Sequence, residues 1–93
     1  MIESFADRKT ERLFRFGDCP AAWRSFEKIA WRKLDMLDYA VQLGDLRSPP
    51  GNRLEALKGD RKGQWGIRIN DQWRICFVWS EQGPRDVEIV DYH

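Results

Sequence analysis

Histidine and closely spaced cysteines, the side chains most often used to bind metals, are scarce in this chain. The 93 residues include one histidine, His93 at the last position. The two cysteines, Cys19 and Cys76, lie far apart and lack the short spacing of metal-binding cysteines. We therefore expect no metal site and no cofactor, and we interpret both cysteines as reduced thiols in or near the core.

Long apolar runs are also missing. No segment approaches the roughly 18 apolar residues that a membrane span requires, and the residues after Met1 lack the charged and then apolar order of a secretory signal. We expect a soluble, cytoplasmic protein without a membrane partner. The length predicts one domain over residues 1–93, and five Trp and five Phe supply apolar area that a short chain otherwise lacks.

The common catalytic motifs are absent as well. Gly59, Gly63 and Gly66 have the wrong spacing for a phosphate-binding loop, and no serine lies in a nucleophile turn. Acidic residues without metal-ligand spacing are Glu55, Glu88 and Asp91. The chemistry left open is metal-free phosphoryl transfer on a substrate that brings its own nucleophile, as RNA does through its 2′-hydroxyl.

Positive charge is modest overall and concentrated in one region. The net charge is +1 and the pI is about 7.8, well below the pI of roughly 9 that is typical of proteins that coat nucleic acid. Between Arg53 and Arg74, however, six basic residues face three acidic ones, a local +3. A nucleic-acid partner would therefore be bound locally, by this region.

Helical patterns fill the first half of the chain. A short edge strand is predicted at residues 1–5, followed by a helix with Asp7 as N-cap that ends at Phe16 before Gly17. A second helix is predicted from Asp18-Cys19-Pro20 to Gly44. Its apolar stripe is Trp23, Phe26, Ala30, Leu34, Leu37 and Val41. Its other face is interpreted as solvent-exposed: Arg24, Lys28, Arg32, Lys33, Asp35 and Asp38.

The second half of the chain has strand patterns. Residues 48–52 contain two prolines and a glycine and interrupt the helical pattern. Four strand segments are predicted after them, a weak one at 53–57 and three more at 64–69, 73–79 and 87–92. The predicted fold class is α+β, with two N-terminal helices packed on one face of a small, mainly antiparallel sheet.

The central hairpin has a register that its apolar residues determine. Side chains alternate between the two faces of a strand, so both apolar sets meet the helices only if the turn has an odd number of residues. The turn Asn70-Asp71-Gln72 satisfies this condition and pairs Ile69 with Trp73. The same register places Arg68 directly opposite Arg74.

Two like charges that face each other across a sheet are destabilising unless an anion or an acidic neighbour bridges them. A phosphate suits this position, because guanidinium groups offer paired donors that match phosphate oxygens. The basic turn at residues 58–62 would extend the anion-binding surface. The alternative is that Arg68 and Arg74 pair with acidic side chains on the same sheet face. These are Glu55, Glu88 and Asp91.

Three blocks of the sequence resemble the HigB branch of the RelE-type toxins, also called plasmid maintenance killer proteins. They are residues 50–63 (PGNRLEALKGDRKG), residues 67–75 (IRINDQWRI) and the terminal Asp91-Tyr92-His93. The resemblance covers essentially the whole chain. It implies a RelE-like, microbial-ribonuclease type of fold and a toxin that enters the A site of the 70S ribosome, on the 30S subunit, and cuts mRNA there without a metal.

The resemblance also implies partners and site residues. A HigA-like helix-turn-helix antitoxin would silence the toxin, which would reach operator DNA only through that antitoxin. In the implied reaction the 2′-oxygen attacks the adjacent phosphorus, and arginines stabilise the charge that develops. The implied catalytic residues are His93, Tyr92, Asp91, Arg68, Arg74 and Glu55. The implied RNA-binding residues are Lys58, Arg61, Lys62 and Arg53.

Individual roles follow from side-chain chemistry. His93 would protonate the leaving 5′-oxygen, and Tyr92 would orient the substrate or stack on a base. Asp91 would favour the imidazolium form of His93 or hold its ring in position. Glu55 lies where some members of the family have a second histidine, and both roles, base and ion-pair partner of a neighbouring arginine, stay open.

Two other functions are compatible with the same residues. One is a ribosome- or RNA-binding protein that blocks translation without cutting. The other is an inactive relative of the toxins that binds an antitoxin and helps to repress its own operon. Mapping of cleaved mRNA ends separates the toxin from both, and co-sedimentation with ribosomes separates the two alternatives from each other.

His93→Gln tests the role of the terminal histidine. Because glutamine keeps a hydrogen-bonding side chain but cannot transfer a proton near neutral pH, we expect mRNA cleavage to slow by roughly 100- to 10,000-fold. Ribosome binding and folding should be nearly unchanged. The measurement is a single-turnover cleavage assay on ribosomes, and a rate close to that of the wild type would exclude His93 as the general acid.

Overall fold

Helix α1 begins and ends at the residues predicted from the sequence. The computed structural model describes residues 1–92, so the predicted role of His93 concerns a residue outside the described part. α1 spans Arg8–Phe16. The Asp7 carboxylate accepts a hydrogen bond from the backbone N–H of Thr10 at 3.0 Å, and Gly17 ends the helix in the left-handed conformation, with φ of 72°.

The second predicted helix is divided into three pieces. A 3-10 helix at Ala21–Phe26 leads into α2 at Glu27–Tyr39, and another 3-10 helix follows at Leu43–Arg47. The predicted end at Gly44 is wrong because the Asp45 carboxylate accepts hydrogen bonds from the N–H groups of Val41 and Gln42, at 3.0 and 3.1 Å. These bonds cap the following 3-10 helix, so Val41 leaves the apolar stripe and is 85% exposed.

Lys33 is buried, which corrects its placement on the exposed face of α2. Its ammonium group donates a hydrogen bond to Oδ1 of Asn52 at 2.7 Å, and Asn52 is fully buried. The Asn52 amide donates to the carbonyl oxygens of Leu46 and Ser48, at 3.1 and 3.3 Å. Lys33 and Asn52 therefore join α2 to the loop that leads into the sheet.

Burial, together with the charges of Arg68 and Arg32, lowers the pKa of Lys33. The folded protein therefore holds this proton less tightly than the unfolded chain does. The contribution of Lys33 to the free energy of unfolding consequently rises as the pH increases through the lowered pKa towards the ordinary value of 10.5.

The sheet has four antiparallel strands in the order β1-β2-β3-β4. They are β1 at Glu55–Ala56, β2 at Trp65–Arg68, β3 at Trp73–Ser80 and β4 at Gly83–Asp91. Each predicted strand segment overlaps one of them, and β4 begins earlier than predicted because the hairpin after β3 is tight, with Ser80 paired to Gly83. The predicted register is confirmed, since Arg68 pairs with Arg74 and the N–H of Ile69 donates to the Trp73 carbonyl at 2.9 Å.

A β-bulge shifts the pairing of β3 with β4. Val78 pairs with Arg85, whereas Cys76 pairs with Glu88, so β4 carries one extra residue between these two pairs. Asp86 lies in this interval with φ of 52°. The extra residue sends Val87 into the core, where it is fully buried, and sends Glu88 to the other face of the sheet.

The outer edge of β4 is covered by the N-terminal part of the chain. The predicted edge strand at residues 1–5 is reduced to a single parallel bridge between Phe5 and Val87. Further along this edge, the N–H of Ile89 donates to the hydroxyl oxygen of Thr10 at 3.0 Å, and Thr10 is fully buried. Pairing groups that an edge strand would otherwise expose are therefore occupied.

The helices pack on one face of the sheet. Fully buried residues that form this core are Leu34 and Leu37 of α2 with Ile67, Ile75 and Phe77 of the sheet. At one end of the core the Trp73 ring lies 5.2 Å from that of Phe26 and 6.3 Å from that of Trp23. Within residues 1–92, no helix is long and apolar enough to span a membrane.

Asn52→Ala tests the contact between α2 and the loop. The substitution leaves a buried ammonium group without its acceptor, so we expect the free energy of unfolding to fall by about 2–3 kcal/mol, measured by urea denaturation. Asn52→Ala combined with Lys33→Met should recover part of this loss, because the unpaired charge is gone. Lys28→Met, on the exposed face of the same helix, is the control. A loss below about 0.5 kcal/mol in Asn52→Ala would show that the buried hydrogen bond contributes little.

Candidate active site on the open sheet face

The face of β1–β4 that the helices leave uncovered carries most of the predicted site residues. We call it the open face. Paired residues of neighbouring strands point to the same side of a sheet, and two rows of pairs lie here. The first row is Glu55, Gly66, Cys76 and Glu88. The second row is Arg68, Arg74 and Val90.

Gly66 lets the chain after β1 lie close against the open face. A Cβ atom at this position would approach Cδ2 of Leu57 to 3.2 Å, so the missing side chain makes room for Leu57, which is 4% exposed. The next residues, Lys58–Gly63, form what we call the basic turn, with a 3-10 helix at Gly59–Arg61. The position of Leu57 therefore brings the basic turn beside the open face.

Arg61 extends from the basic turn to β4. Its Nη1 donates hydrogen bonds to Oε1 of Glu88 at 2.8 Å and to Oε1 of Gln64 at 3.0 Å. The hydrogen bond that Arg61 donates to Glu88 raises the pKa of Arg61, against the effect of burial. Both side chains are largely buried, at 30% and 24% exposure, so this ion pair is more shielded from water than a surface pair.

Cys76 lies beneath this ion pair and is fully buried. Burial raises the pKa of its thiol to about 11, so the thiol is protonated at neutral pH and unsuited to nucleophilic attack. Burial also raises the pKa of Cys19. Both cysteines are free, as the sequence predicted.

Arg74 contacts Tyr92 and carries a buried donor without a partner. Its guanidinium carbon lies 5.9 Å from the centre of the Tyr92 ring, and its Nη1 donates to the Asn70 carbonyl oxygen at 2.9 Å. Nε of Arg74 is buried and has no hydrogen-bond partner within residues 1–92. A buried donor without a partner is costly, which makes this position favourable for an anion.

Arg68 forms an ion pair with Asp71 in the turn between β2 and β3. Asp71 was not among the acidic partners considered for Arg68 from the sequence, and Glu88, which was among them, pairs with Arg61 instead. Asp71 is almost fully exposed, at 99%, whereas Arg68 is 26% exposed. An exposed carboxylate is a weak partner, so a phosphate could displace it.

The remaining predicted site residues lie outside this cluster. Asp91 pairs with Trp73, in the row that points towards the helices, so the prediction that it shares a sheet face with Arg68 and Arg74 is wrong. The Asp91 carboxylate accepts a hydrogen bond from the Gln72 amide at 2.9 Å, and the Tyr92 N–H donates to the Gln72 carbonyl at 2.8 Å. Glu55 is exposed on β1 and acts electrostatically on Cys76. Its carboxylate forms no hydrogen bond or ion pair with any residue from 1 to 92. Exposed basic side chains nearby are Arg53, Lys58 and Lys62.

Sequence reasoning missed three contacts that shape the open face: Arg61 with Glu88, Arg68 with Asp71, and Leu57 with Gly66. The three-residue spacing of Arg68 and Asp71 across a turn is a local pattern from which their pair could have been predicted. The other two contacts depend on the β-bulge and on the path of the basic turn, which no local pattern encodes. Among the described residues 1–92, no group of three or more His, Cys, Asp or Glu side chains is arranged to hold a metal ion.

Residues 3–93 match the model of a family described as the RelE-like toxin of the type II toxin-antitoxin system HigB. Toxin HigB-1 of Vibrio cholerae is 51% identical over 57 residues, which are 61% of this chain and 60% of that protein. The matched segment thus spans less than two thirds of that relative.

Two further matches extend over the whole chain. Endoribonuclease HigB of Proteus vulgaris is 33% identical over an alignment of 96 positions that covers 100% of both proteins. The YoeB-YefM complex from Staphylococcus aureus has a similar fold, with a TM-score of 0.61 at 14% identity over 100% of this chain and 98% of the other.

Asp71→Asn tests whether the Asp71 carboxylate competes with an anion for Arg68. Removing this charge should strengthen binding of a single-stranded RNA oligonucleotide by up to about 5-fold at low ionic strength, and the gain should vanish in high salt. Asp60→Asn, which removes an exposed charge from the basic turn, is the matched control. Equal gains in both variants, measured by fluorescence anisotropy, would mean that only the overall charge matters.

Proposed function

The chain belongs to the HigB-like family of RelE-like toxins of type II toxin-antitoxin systems, and from this premise we propose that it is an endoribonuclease that cuts mRNA in the ribosomal A site and thereby inhibits translation. One observation carries the proposal: Arg68 and Arg74 face each other on the open face, and Arg74 presents a buried donor without a partner beside Tyr92. A phosphodiester would relieve both the charge repulsion and the missing hydrogen bond.

In the proposed reaction the RNA supplies its own nucleophile. The 2′-oxygen attacks the adjacent phosphorus in line, and negative charge develops on the non-bridging phosphate oxygens. Arg68 and Arg74 stabilise this charge by donating hydrogen bonds that strengthen as it grows. No metal is needed for this role, because the two guanidinium groups supply the positive charge.

Proton transfer requires a base and an acid. We assign the base to Glu55, because it is exposed and lies on the open face, and because its carboxylate has no hydrogen-bond or ion-pair partner within residues 1–92. We assign the acid to His93, which follows Tyr92 in the chain and would protonate the leaving 5′-oxygen. Asp91 would favour the charged form of that imidazole, and Tyr92 would stack on a base.

The surface around the site would bind the RNA backbone and the ribosome. Exposed basic side chains on and beside the basic turn are Arg53, Lys58 and Lys62. With a net charge of +1, the protein has little long-range attraction for RNA in general. The proposed substrate is therefore mRNA that the ribosome already holds in position, and the proposed location of the reaction is the cytoplasm.

An antitoxin is the other proposed partner. Toxins of this family belong to two-component systems, and the similar fold in the YoeB-YefM complex is bound to a second protein. We propose a HigA-like helix-turn-helix antitoxin, encoded next to the toxin, that silences it and provides the only link to operator DNA.

Ribosome-dependent cleavage is the central prediction. Because the ribosome would supply the in-line geometry for attack, purified protein should cut mRNA on programmed ribosomes and leave the same RNA intact when it is free. Arg74→Ala should slow the cut by on the order of 100-fold, the usual cost of losing one donor to a developing oxyanion. Arg47→Ala, an exposed arginine outside the site, is the control.

Primer extension on the mRNA measures cleavage by locating the cut ends. Efficient cleavage of free RNA would contradict the need for the ribosome. Binding to ribosomes with no cut in any mRNA would favour a translation inhibitor that does not cleave, and a failure to bind ribosomes at all would favour an antitoxin-binding co-repressor.

A further inference from the structure

The ion pair between Arg61 and Glu88 connects two distant parts of the open face. Arg61 belongs to the basic turn between β1 and β2, whereas Glu88 belongs to β4, the strand at the opposite edge of the sheet. Glu88 reaches this face only because the β-bulge adds one residue to β4 between Arg85 and Glu88. With regular pairing, Val87 would be opposite Cys76 and Glu88 would point towards the helices.

The contacts of Arg61 leave most of its guanidinium group available. Its hydrogen bonds to Glu88 and Gln64 both come from Nη1, so Nη2 and Nε have no recorded partner within residues 1–92. Arg74, which carries a buried donor without a partner within residues 1–92, lies against the Tyr92 ring. Two arginines from different elements of the fold therefore have donors without a partner within residues 1–92.

Arg61 would be a mobile side chain without these two acceptors. It lies in a turn that contains two glycines with positive φ, Gly59 and Gly63, and a long side chain on such a turn loses much rotamer freedom when it binds a ligand. Glu88 and Gln64 hold the guanidinium group from two directions before any ligand arrives. Preorganisation of this kind lowers the cost of binding.

We propose that Glu88 is a positioning residue: it fixes Arg61 over the open face so that the free edge of the guanidinium group binds an RNA phosphate. This inference rests on the proposed function and adds a third arginine to the phosphate-binding pair Arg68 and Arg74. It also explains why an acidic residue, Glu88, lies in a site for an anion, although its negative charge alone would repel that anion.

The direction in which Glu88→Ala changes the affinity for RNA tests this proposal. Glu88→Ala removes a negative charge, so simple electrostatics predicts tighter binding of RNA. If Glu88 positions Arg61, the same change weakens binding and removes one phosphate contact. The slope of the logarithm of the RNA association constant against the logarithm of the salt concentration should then flatten by somewhat less than one unit. We expect the same flattening in Arg61→Ala. Changes in fold stability alone do not produce this change in slope.

A double-mutant cycle on programmed ribosomes is the experiment. We expect Glu88→Ala and Arg61→Ala each to lower binding and cleavage by about 10-fold, and the double variant to be no worse than Arg61→Ala alone. Glu88→Gln keeps an acceptor for Nη1 and should stay within about 3-fold of the wild type. Glu11→Ala, which breaks a more exposed ion pair with Arg15 on α1, away from the open face, is the control.

Three outcomes would overturn the role of Glu88. They are tighter RNA binding by Glu88→Ala, a loss of equal size when Arg61 is already alanine, and an unchanged salt slope. If Glu88→Ala does not fold, Gln64→Ala removes the other acceptor and should give a smaller loss of the same kind. An absence of cleavage by the wild type would overturn the proposed function instead, and the salt slopes would still decide the role of Glu88.

Discussion

The pairing of β2 with β3 in one register determines where the functional side chains of this protein lie. With the turn Asn70-Asp71-Gln72 between the strands, Ile67 and Ile75 face the helices and are fully buried. A slip of one residue in either strand would send that strand's apolar residues to water and its arginine into the core. The hydrophobic effect thus positions Arg68 and Arg74 together on the opposite face. The repulsion between them is a consequence of this packing.

Features encoded in neighbouring residues were predictable from the sequence. The limits of α1 follow from Asp7 and Gly17, and the central hairpin follows from alternation of apolar residues and the length of its turn. The end of α2 and the burial of Lys33 were not predictable in this way. Asp45 and Asn52, which decide them, lie in the loops after α2, and their effect depends on how those loops fold back. The resemblance of three sequence blocks supplied the family, which composition and spacing alone did not reach.

The candidate site also has a part that the sequence predicted and a part that depends on tertiary structure. Arg68 and Arg74 were found from the register, whereas the partners of Arg61 depend on the β-bulge at Asp86 and on the glycine that admits Leu57. An extra residue in a strand leaves no clear mark in a single sequence, because its effect is a change of pairing. The roles of Glu55, Asp91 and His93 rest on the resemblance and on their chemistry, and they stay predictions.

The two edges of the sheet differ, and this difference limits how copies of the protein can associate. Thr10 and the N-terminal residues occupy the outer edge of β4, while the other edge is β1, a strand of two exposed residues. Fibre growth by strand addition needs two open edges on every subunit, because each copy must accept one neighbour and offer a template to the next. A subunit with one open edge can at most form a closed pair through β1. Addition of strands through the described edges would therefore stop at a closed pair of subunits.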